Sequence, residues 1–294
     1  MFEGFSDARV DVGGGVRIRT RVAGEGPPVL LLHGYPETHA CWHAVAPHLV
    51  AAGFRVVATD LRGYGDSSKP PSAPDHAPYS KRAMAADQVA VMRALGHDRF
   101  AVAGHDRGGR VAHRLALDHP GAVTRAAVLD IAPTATMYVR TDMAFARAYY
   151  HWFFLIQPAP LPERLIGADP EFYLRSKLSA WSQGGDGFFA PEAVADYVRC
   201  FRDPATIAAT CEDYRAAASI DLDHDAADAH ARVTVPLLVL WGARGVVGRS
   251  YDVLETWREK ASDVRGHALA TGHYLPEEAP AETAVALADF FAAL

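Results

Sequence analysis

The chain has 294 residues, of which 50% are hydrophobic and 22% charged, and its net charge is −6. This composition is typical of a globular protein, and the length accommodates one large domain or a domain with an insertion. The scattered Lys and Arg residues argue against a nucleic-acid or membrane-surface partner. The 14 His residues are dispersed, without an HExxH or Cys-His motif, so we expect no metal site.

The cysteines and the hydropathy pattern bear on the compartment. Cys41, Cys200 and Cys211 are odd in number and form no CxxC motif, which favours reduced thiols over a disulfide framework. The first residues lack the basic and then apolar pattern of a secretory leader, and no run approaches the roughly 20 apolar residues of a membrane span. We therefore expect a soluble, cytoplasmic protein.

Strand and helix patterns alternate along most of the chain. Residues 8–22 alternate around three consecutive glycines, which predicts a β-hairpin. The elements that follow are strand 29–32, helix 43–52, strand 55–59, helix 81–95, strand 100–103, helix 111–117, strand 126–129, strand 236–240 and helix 282–293. Apolar strands that alternate with helices predict a largely parallel sheet with helices on both faces.

This alternation stops between residues 134 and 218, where aromatic residues are frequent and strand patterns are rare. We interpret the segment as a helical cap inserted over the C-terminal ends of the strands, where open α/β sheets place their ligand sites. The predicted organisation is an α/β core formed by residues 1–133 and 219–294, with a helical cap at residues 134–218.

Asp106 stands between an apolar strand and a helix, with Gly104 and Gly108 on either side. Small residues at these positions are typical of the nucleophile elbow, a sharp strand-to-helix turn that exposes the side chain at its tip. The tip residue here is a carboxylate rather than a hydroxyl or a thiol. A carboxylate nucleophile forms an alkyl ester by displacement at carbon, so the pattern argues against ordinary esterase chemistry.

A carboxylate nucleophile needs a base that activates water and an acid that orients this base. His273 lies in a Gly-His turn after a late strand, which fits the chain order nucleophile, acid, histidine. The loop after strand 236–240 offers no carboxylate before Asp252, which we expect well inside a helix. Asp130, at the end of an apolar strand where a carboxylate is a poor core choice, is therefore the predicted acid.

Arg107 and Arg110 indicate the substrate. They lie three residues apart at the start of the helix after the elbow, hence on one helix face. Cations oppose the helix dipole at this end, so a structural role would favour Asp or Glu there. A planar guanidinium fork suits a carboxylate, which predicts a small carboxylic acid attacked at its α-carbon. The alternative is that both arginines pair with nearby carboxylates of the protein.

Together these motifs resemble the fluoroacetate (haloacetate) dehalogenases of the α/β-hydrolase superfamily over nearly the whole chain. The resemblance rests on the segments 33–38, 60–67, 104–110, 129–133, 150–153, 212–215 and 272–274. It implies an α/β-hydrolase fold, a homodimer, and halide binding by His151, Trp152 and Tyr214, although Trp152 and Tyr214 also suit the core of the cap. Trp181 suits a pocket wall and core packing equally.

The mechanism expected from this resemblance needs no cofactor. Asp106 displaces halide from the α-carbon, and water activated by His273 hydrolyses the resulting ester to a 2-hydroxy acid such as glycolate. Backbone N–H groups of Tyr35 and Arg107 would form the oxyanion hole. The sequence leaves open whether fluoride, or only chloride and bromide, is released.

Three other functions share parts of this pattern. Epoxide hydrolases have the same Asp-His-Asp triad, but typically carry Trp after the nucleophile and use cap tyrosines to protonate the oxirane. Haloalkane dehalogenases also usually carry Trp there, and a paired-arginine site does not suit their neutral substrates. A protein that only binds a small ligand would not need an intact triad.

Overall fold

A computed structural model describes residues 1–185 and 187–293; Asp186, within the predicted cap, and Leu294, the last residue of the predicted core, lie outside the described residues. The strands are β1 (Ser6–Asp11), β2 (Arg17–Ala23), β3 (Pro28–Leu32), β4 (Arg55–Thr59), β5 (Phe100–His105), β6 (Val123–Leu129), β7 (Leu237–Gly242) and β8 (Val264–Leu269). They form an eight-stranded sheet in the order β1-β2-β4-β3-β5-β6-β7-β8. The β1–β2 and β2–β4 pairs are antiparallel, and the other pairs are parallel.

Helices flank this sheet and fill the long interval between β6 and β7. They are α1 (Ala46–Ala51), α2 (Lys81–Ala94), α3 (Arg107–Asp118), α4 (Thr134–Val139), α5 (Met143–Ala148), α6 (His151–Phe154), α7 (Leu161–Ala168), α8 (Pro170–Trp181), α9 (Pro191–Phe201), α10 (Pro204–Ala217), α11 (Ile220–Ala227), α12 (Val246–Ser250), α13 (Val253–Arg258), α14 (Leu275–Glu278) and α15 (Pro280–Ala292). Short 3-10 helices span His39–Trp42 and Ala77–Tyr79.

The parallel sheet predicted from the apolar runs is confirmed. All six residues of β5 are buried, as are the last four of β3, because helices cover both faces of the sheet. The predicted hairpin is β1 and β2, whose Val10 and Ile18 are partners in the antiparallel register. The predicted helix at 43–52 is wrong at its start, since a 3-10 helix ends at Trp42 and α1 begins only at Ala46.

Asp252 corrects a second expectation. It lies at the start of α13 rather than inside a helix, and its side chain accepts a hydrogen bond from the N–H of Glu255 at 3.1 Å. A carboxylate at this position satisfies one of the free N–H groups of the first helical turn, so Asp252 is a helix cap.

Eight helices, α4 to α11, follow one another between β6 and β7 in the described part of this interval. They reach the core through buried polar contacts, among them a 2.6 Å hydrogen bond from Tyr64 of the core to Asp213 of α10. We propose residues 134–218 as the cap, with α11 as the helix that returns the chain to the core. Among all described helices, none is long and apolar enough to cross a membrane.

Candidate active site

The turn from β5 to α3 places Asp106 at the centre of the molecule. Asp106 alone separates the strand from the helix, and its φ of 44° lies in the left-handed region that non-glycine residues seldom adopt. A Cβ on Gly104 would lie 2.2 Å from the carbonyl oxygen of Gly108, and a Cβ on Gly108 would lie 2.4 Å from that of Leu32. Only glycine fits at both positions, which is the steric requirement of a nucleophile elbow.

The Asp106 carboxylate is buried and charged. The N–H of Tyr35, from the loop after β3, donates to its Oδ2 at 3.0 Å. Burial alone would raise the pKa of this carboxyl, but the neighbouring His273, Arg110 and Arg107 outweigh burial and hold the pKa below its ordinary value. The carboxylate is therefore ionised at neutral pH, as a nucleophile must be.

His273 and Asp130 are joined at the ends of their strands. Nδ1 of His273 lies 2.6 Å from Oδ2 of Asp130, and the N–H of Gly242 donates to the other oxygen, Oδ1, at 2.9 Å. Asp130 follows β6 directly and has a φ of 50°, a second non-glycine residue in the left-handed region. With Nδ1 hydrogen-bonded to Asp130, the other ring nitrogen, Nε2, is left as the proton acceptor.

The sequence analysis missed a buried ion pair behind His273. Nδ1 of His105 lies 3.0 Å from Oε2 of Glu37, and its Nε2 donates to the backbone oxygen of His273 at 2.8 Å. Burial would lower the pKa of His105, but Glu37 raises it to about 9. Burial and the charge of Glu37 also raise the pKa of Glu277 well above its ordinary value. The signal was present, since Glu37 belongs to the same motif as Tyr35 and His105 precedes Asp106.

Arg107 is fully buried and forms an ion pair with the cap. Its Nε donates to Oδ2 of Asp213 at 2.9 Å and its Nη2 to Oδ1 at 2.7 Å. The guanidinium also lies over the ring of Tyr214, 4.2 Å from the ring centroid. The fork that the sequence analysis expected to bind a ligand carboxylate is thus bound to a carboxylate of the protein, in line with the alternative considered for it.

Arg110 is held differently, by neutral acceptors. Its Nη1 donates to the backbone oxygen of Ala132 at 3.1 Å and to the hydroxyl of Thr134 at 2.9 Å, while Nη2 contacts the sulfur of Met137 at 3.2 Å. Its guanidinium lies 4.7 Å from the ring centroid of Trp152. Burial and the neighbouring charge of Arg107 lower the pKa of Arg110, so a bound anion would relieve both effects.

Each arginine keeps one buried nitrogen free. In the described structure, Nη1 of Arg107 and Nε of Arg110 make no hydrogen bond to protein. Buried guanidinium N–H groups without an acceptor are costly, and a native structure that retains two of them near a nucleophile is suited to an anionic ligand.

The cap contributes two further polar side chains that have no hydrogen-bond partner among the described residues. Within residues 1–185 and 187–293, Nδ1 of His151 and the hydroxyl of Tyr214 are buried and have no hydrogen-bond partner. Burial, together with the charge of Lys177, lowers the pKa of His151 well below its ordinary value, so the imidazole is neutral. Burial and the Asp106 charge raise the pKa of Tyr214, so its phenol stays protonated. Trp152 is buried beside them.

Trp181 contacts both His151 and the loop that carries His273. Its ring centroid lies 4.4 Å from that of His151, and its backbone oxygen accepts a hydrogen bond from the N–H of His273 at 2.9 Å. A Cβ on Gly272 would lie 2.6 Å from this same oxygen, so the loop needs glycine there. Tyr149, also not predicted, places its hydroxyl 3.4 Å from Nδ1 of His273.

The family model for the alpha/beta hydrolase fold matches residues 27–280. The chain belongs to this family. The predicted resemblance to the fluoroacetate dehalogenases is confirmed: the chain is 48% identical to the fluoroacetate dehalogenase of Burkholderia sp, over 99% of this chain and 95% of that protein.

Two further proteins are similar to this chain over nearly its whole length. The soluble epoxide hydrolase of Corynebacterium sp. (strain C12) is 34% identical over 95% of both chains. The crystal structure of an alpha/beta-hydrolase candidate from Nostoc sp PCC 7120 superposes with a TM-score of 0.98 at 59% identity, covering 100% of both chains.

Proposed function

We propose that this protein hydrolyses the carbon–halogen bond of a small 2-haloacid, such as fluoroacetate or chloroacetate, to give halide and a 2-hydroxy acid. One observation carries the proposal. The buried carboxylate of Asp106 is accompanied by free guanidinium N–H groups of two arginines and by free donors from the cap. The 48% identity to a fluoroacetate dehalogenase supports it independently.

Substrate binding uses the free arginine nitrogens. The substrate carboxylate accepts hydrogen bonds from Nη1 of Arg107 and Nε of Arg110, which have no protein acceptor among the described residues. Charge-assisted hydrogen bonds of this kind are about twice as strong as neutral ones. They hold the anion beside Asp106 and direct its α-carbon to the nucleophile.

In the first step, Asp106 attacks the α-carbon and the halogen leaves with the bonding electrons. Oδ2 accepts from the N–H of Tyr35, so Oδ1 is the oxygen free to attack. The departing halide accepts hydrogen bonds from His151, Trp152 and Tyr214. Fluoride is a poor leaving group and a strong acceptor, so donors placed at the developing anion lower the barrier.

In the second step, water hydrolyses the ester. Nε2 of His273 takes a proton from water while Asp130 holds Nδ1, and the water oxygen attacks Cγ of Asp106. The negative charge develops on Oδ2, where Tyr35 already donates and where the N–H of Arg107 adds a second donor. The 2-hydroxy acid departs with the original Oδ1, and Asp106 retains an oxygen from water.

Halide release tests the proposal directly. Ion chromatography would follow fluoride from fluoroacetate and chloride from chloroacetate, for the wild type and for Asp106→Asn. Asp252→Asn is the matched control, because it makes the same change at a helix cap. Halide from the wild type and the control, and none from Asp106→Asn, is expected. Chloride without fluoride would restrict the substrate class, and absence of both halides would overturn the proposal.

Epoxide hydrolysis is the second candidate. The free hydroxyl of Tyr214 could protonate an oxirane oxygen, and the Corynebacterium relative is a soluble epoxide hydrolase. A neutral epoxide has no carboxylate to accept hydrogen bonds from the free arginine N–H groups. The presence of these groups therefore favours a haloacid as the substrate. Arg110→Gln separates the two candidates, since it should impair turnover of chloroacetate and leave turnover of an epoxide such as styrene oxide nearly unchanged.

A further inference from the structure

Asp213 lies on α10 in the proposed cap and has no exposed surface. Its carboxylate accepts from four groups of the core: Nε and Nη2 of Arg107, the hydroxyl of Tyr64 at 2.6 Å, and the ammonium of Lys81. Arg107, Tyr64 and Lys81 belong to different segments of the core. Asp213 is therefore the residue of the cap at which three core segments meet.

The charges of Asp213, Arg107 and Lys81 depend on one another. Burial opposes the charge of Asp213, but Arg107 and Lys81 outweigh burial and hold its pKa well below the ordinary value. Burial and the nearby Arg107 lower the pKa of Lys81, which Asp213 and Asp221 counteract. An unpaired buried charge is costly, so Asp213 compensates the charges of Arg107 and Lys81 in the interior.

Asp213 also fixes the direction of Arg107. Its side chain takes the Nε and one Nη2 hydrogen, and its backbone oxygen accepts from Nη2 at 3.0 Å. The neighbouring ring of Tyr214 lies against the guanidinium plane. With one edge and one face occupied, Nη1 is the nitrogen left for a ligand.

We propose that Asp213 is a positioning residue for substrate recognition: it holds Arg107 so that Nη1, together with Nε of Arg110, binds one carboxylate of the substrate. This inference rests on the proposed function, in which the bound anion is the substrate acid. Arg110 is also restrained, but by the neutral acceptors of Ala132, Thr134 and Met137. The site therefore offers one nitrogen from each of two fixed guanidiniums rather than the fork of one.

The substitution Asp213→Asn keeps the side-chain shape, removes the charge and turns an amide N–H toward Arg107 or Lys81. We expect KM for chloroacetate to rise about 10- to 100-fold, the range for a charged hydrogen bond, and kcat to change by less than about threefold. Asp228→Asn is the matched control, since Asp228 also pairs with two cationic side chains, Arg82 and Arg114. Its KM should equal that of the wild type, and Asp213→Glu should recover part of the loss.

Binding of acetate, an unreactive acid, gives a second measurement. In calorimetry, Asp213→Asn should bind acetate about tenfold or more weakly than the wild type, with an unchanged circular dichroism spectrum. If the wild type releases halide and Asp213→Asn keeps wild-type KM and acetate affinity, the inference is wrong. If the wild type releases no halide but the variant loses acetate affinity, the proposed function fails and the role of Asp213 stands.

A third measurement needs no variant and applies even if Asp213→Asn does not fold. In nitrogen-15 NMR spectra of the wild type, acetate should shift the Nη1 resonance of Arg107 and leave its Nε resonance, bound to Asp213, nearly in place. A shift of Nε comparable with that of Nη1 would show that acetate competes for the fork, and would overturn the inference.

Discussion

The two halves of the site differ in how completely their polar atoms are paired. In the core half, formed by Asp106, Asp130 and His273, each side chain has a partner within 3.0 Å. In the cap half, formed by His151, Trp152 and Tyr214, the imidazole Nδ1 and the phenol have no partner among the described residues. The core half is assembled without a ligand, whereas the cap half and the two arginines retain polar atoms that are available to an anionic ligand.

This difference separates two requirements of the chemistry. The nucleophile and the base need fixed geometry before substrate arrives, and paired side chains in strained turns provide it. A leaving halide needs donors that act where charge develops, and a donor already paired with protein would be of no use there. Changes in the core half should therefore abolish turnover, while changes in the cap half should alter which halide leaves.

The largest expected effect comes from breaking the core half at its base. His273→Gln should reduce steady-state halide release by about 10³- to 10⁴-fold, because water is no longer deprotonated. The first step should still occur, so one equivalent of halide should appear in a burst. Mass spectrometry should then find a carboxymethyl ester on Asp106. His267→Gln on β8, exposed and outside the site, serves as the control. A burst-free variant would place His273 in the first step instead.

The next largest effect is expected for the buried ion pair of His105 and Glu37, which lies behind His273. The pKa of His105 is raised from 6.5 to about 9 in the folded protein, so this pair stabilises the fold fully below pH 6.5. That stabilisation disappears as the pH rises through about 9, by up to about 3 kcal/mol for the whole shift. Urea unfolding between pH 6 and 10 should show the decline in the wild type. His105→Gln should lack it, and an equal decline in that variant would refute the assignment.

A smaller effect is expected from a substitution in the cap half. Tyr214→Phe removes one hydrogen bond to the leaving halide and should slow fluoride release about 10- to 100-fold, or roughly 1.5–3 kcal/mol. Chloride accepts hydrogen bonds more weakly, so chloride release should fall less. The rates of fluoride release from fluoroacetate and of chloride release from chloroacetate, each measured for the wild type and the variant, give the two losses to be compared. Tyr79→Phe, whose hydroxyl bonds to the backbone of Pro70, is the control. An equal loss for both halides would remove Tyr214 from halide binding.

The smallest effect is expected for a solvent-exposed ion pair between the cap and the core. Arg199 of α9 reaches Asp66 of the core at 2.8 Å, but its side chain is 53% exposed. Exposed ion pairs contribute at most about 1 kcal/mol, and salt screens them. Arg199→Gln should lower the free energy of unfolding by less than this amount and leave turnover unchanged. A loss near that of a buried pair would contradict the distinction between surface and buried contacts drawn here.

Most of the fold could be predicted because its information is local. Continuous apolar runs identified the buried strands, and the predicted strand 55–59 has the bounds of β4. The glycines around Asp106 identified the elbow because the turn leaves no room for a Cβ. Asp130 was predicted as the acid because a carboxylate at the end of an apolar strand has no packing reason to be there. The structure brings it to His273 across 143 positions of sequence.

The environment of the arginines could not be predicted. Arg107 and Asp213 lie 106 residues apart, and no periodicity connects a core helix with a cap helix over that distance. The sequence therefore predicted that Arg107 binds a carboxylate but not that this carboxylate belongs to the protein. Asp252 was misplaced for a different reason: its signal is local, since an Asp three residues before Glu255 is a capping pattern that marks the start of α13.

The hydrogen bond from His273 to the carbonyl of Trp181 has a consequence for engineering. The end of α8 and the glycine-histidine loop form one steric unit, because only glycine, which has no Cβ, fits at position 272 beside that carbonyl. A chimera that receives the cap of a relative must therefore inherit the matching loop, with a crossover point beyond residue 274. Recombination libraries that exchange the two segments together should retain folded members, and libraries that separate them should displace His273 from Asp130.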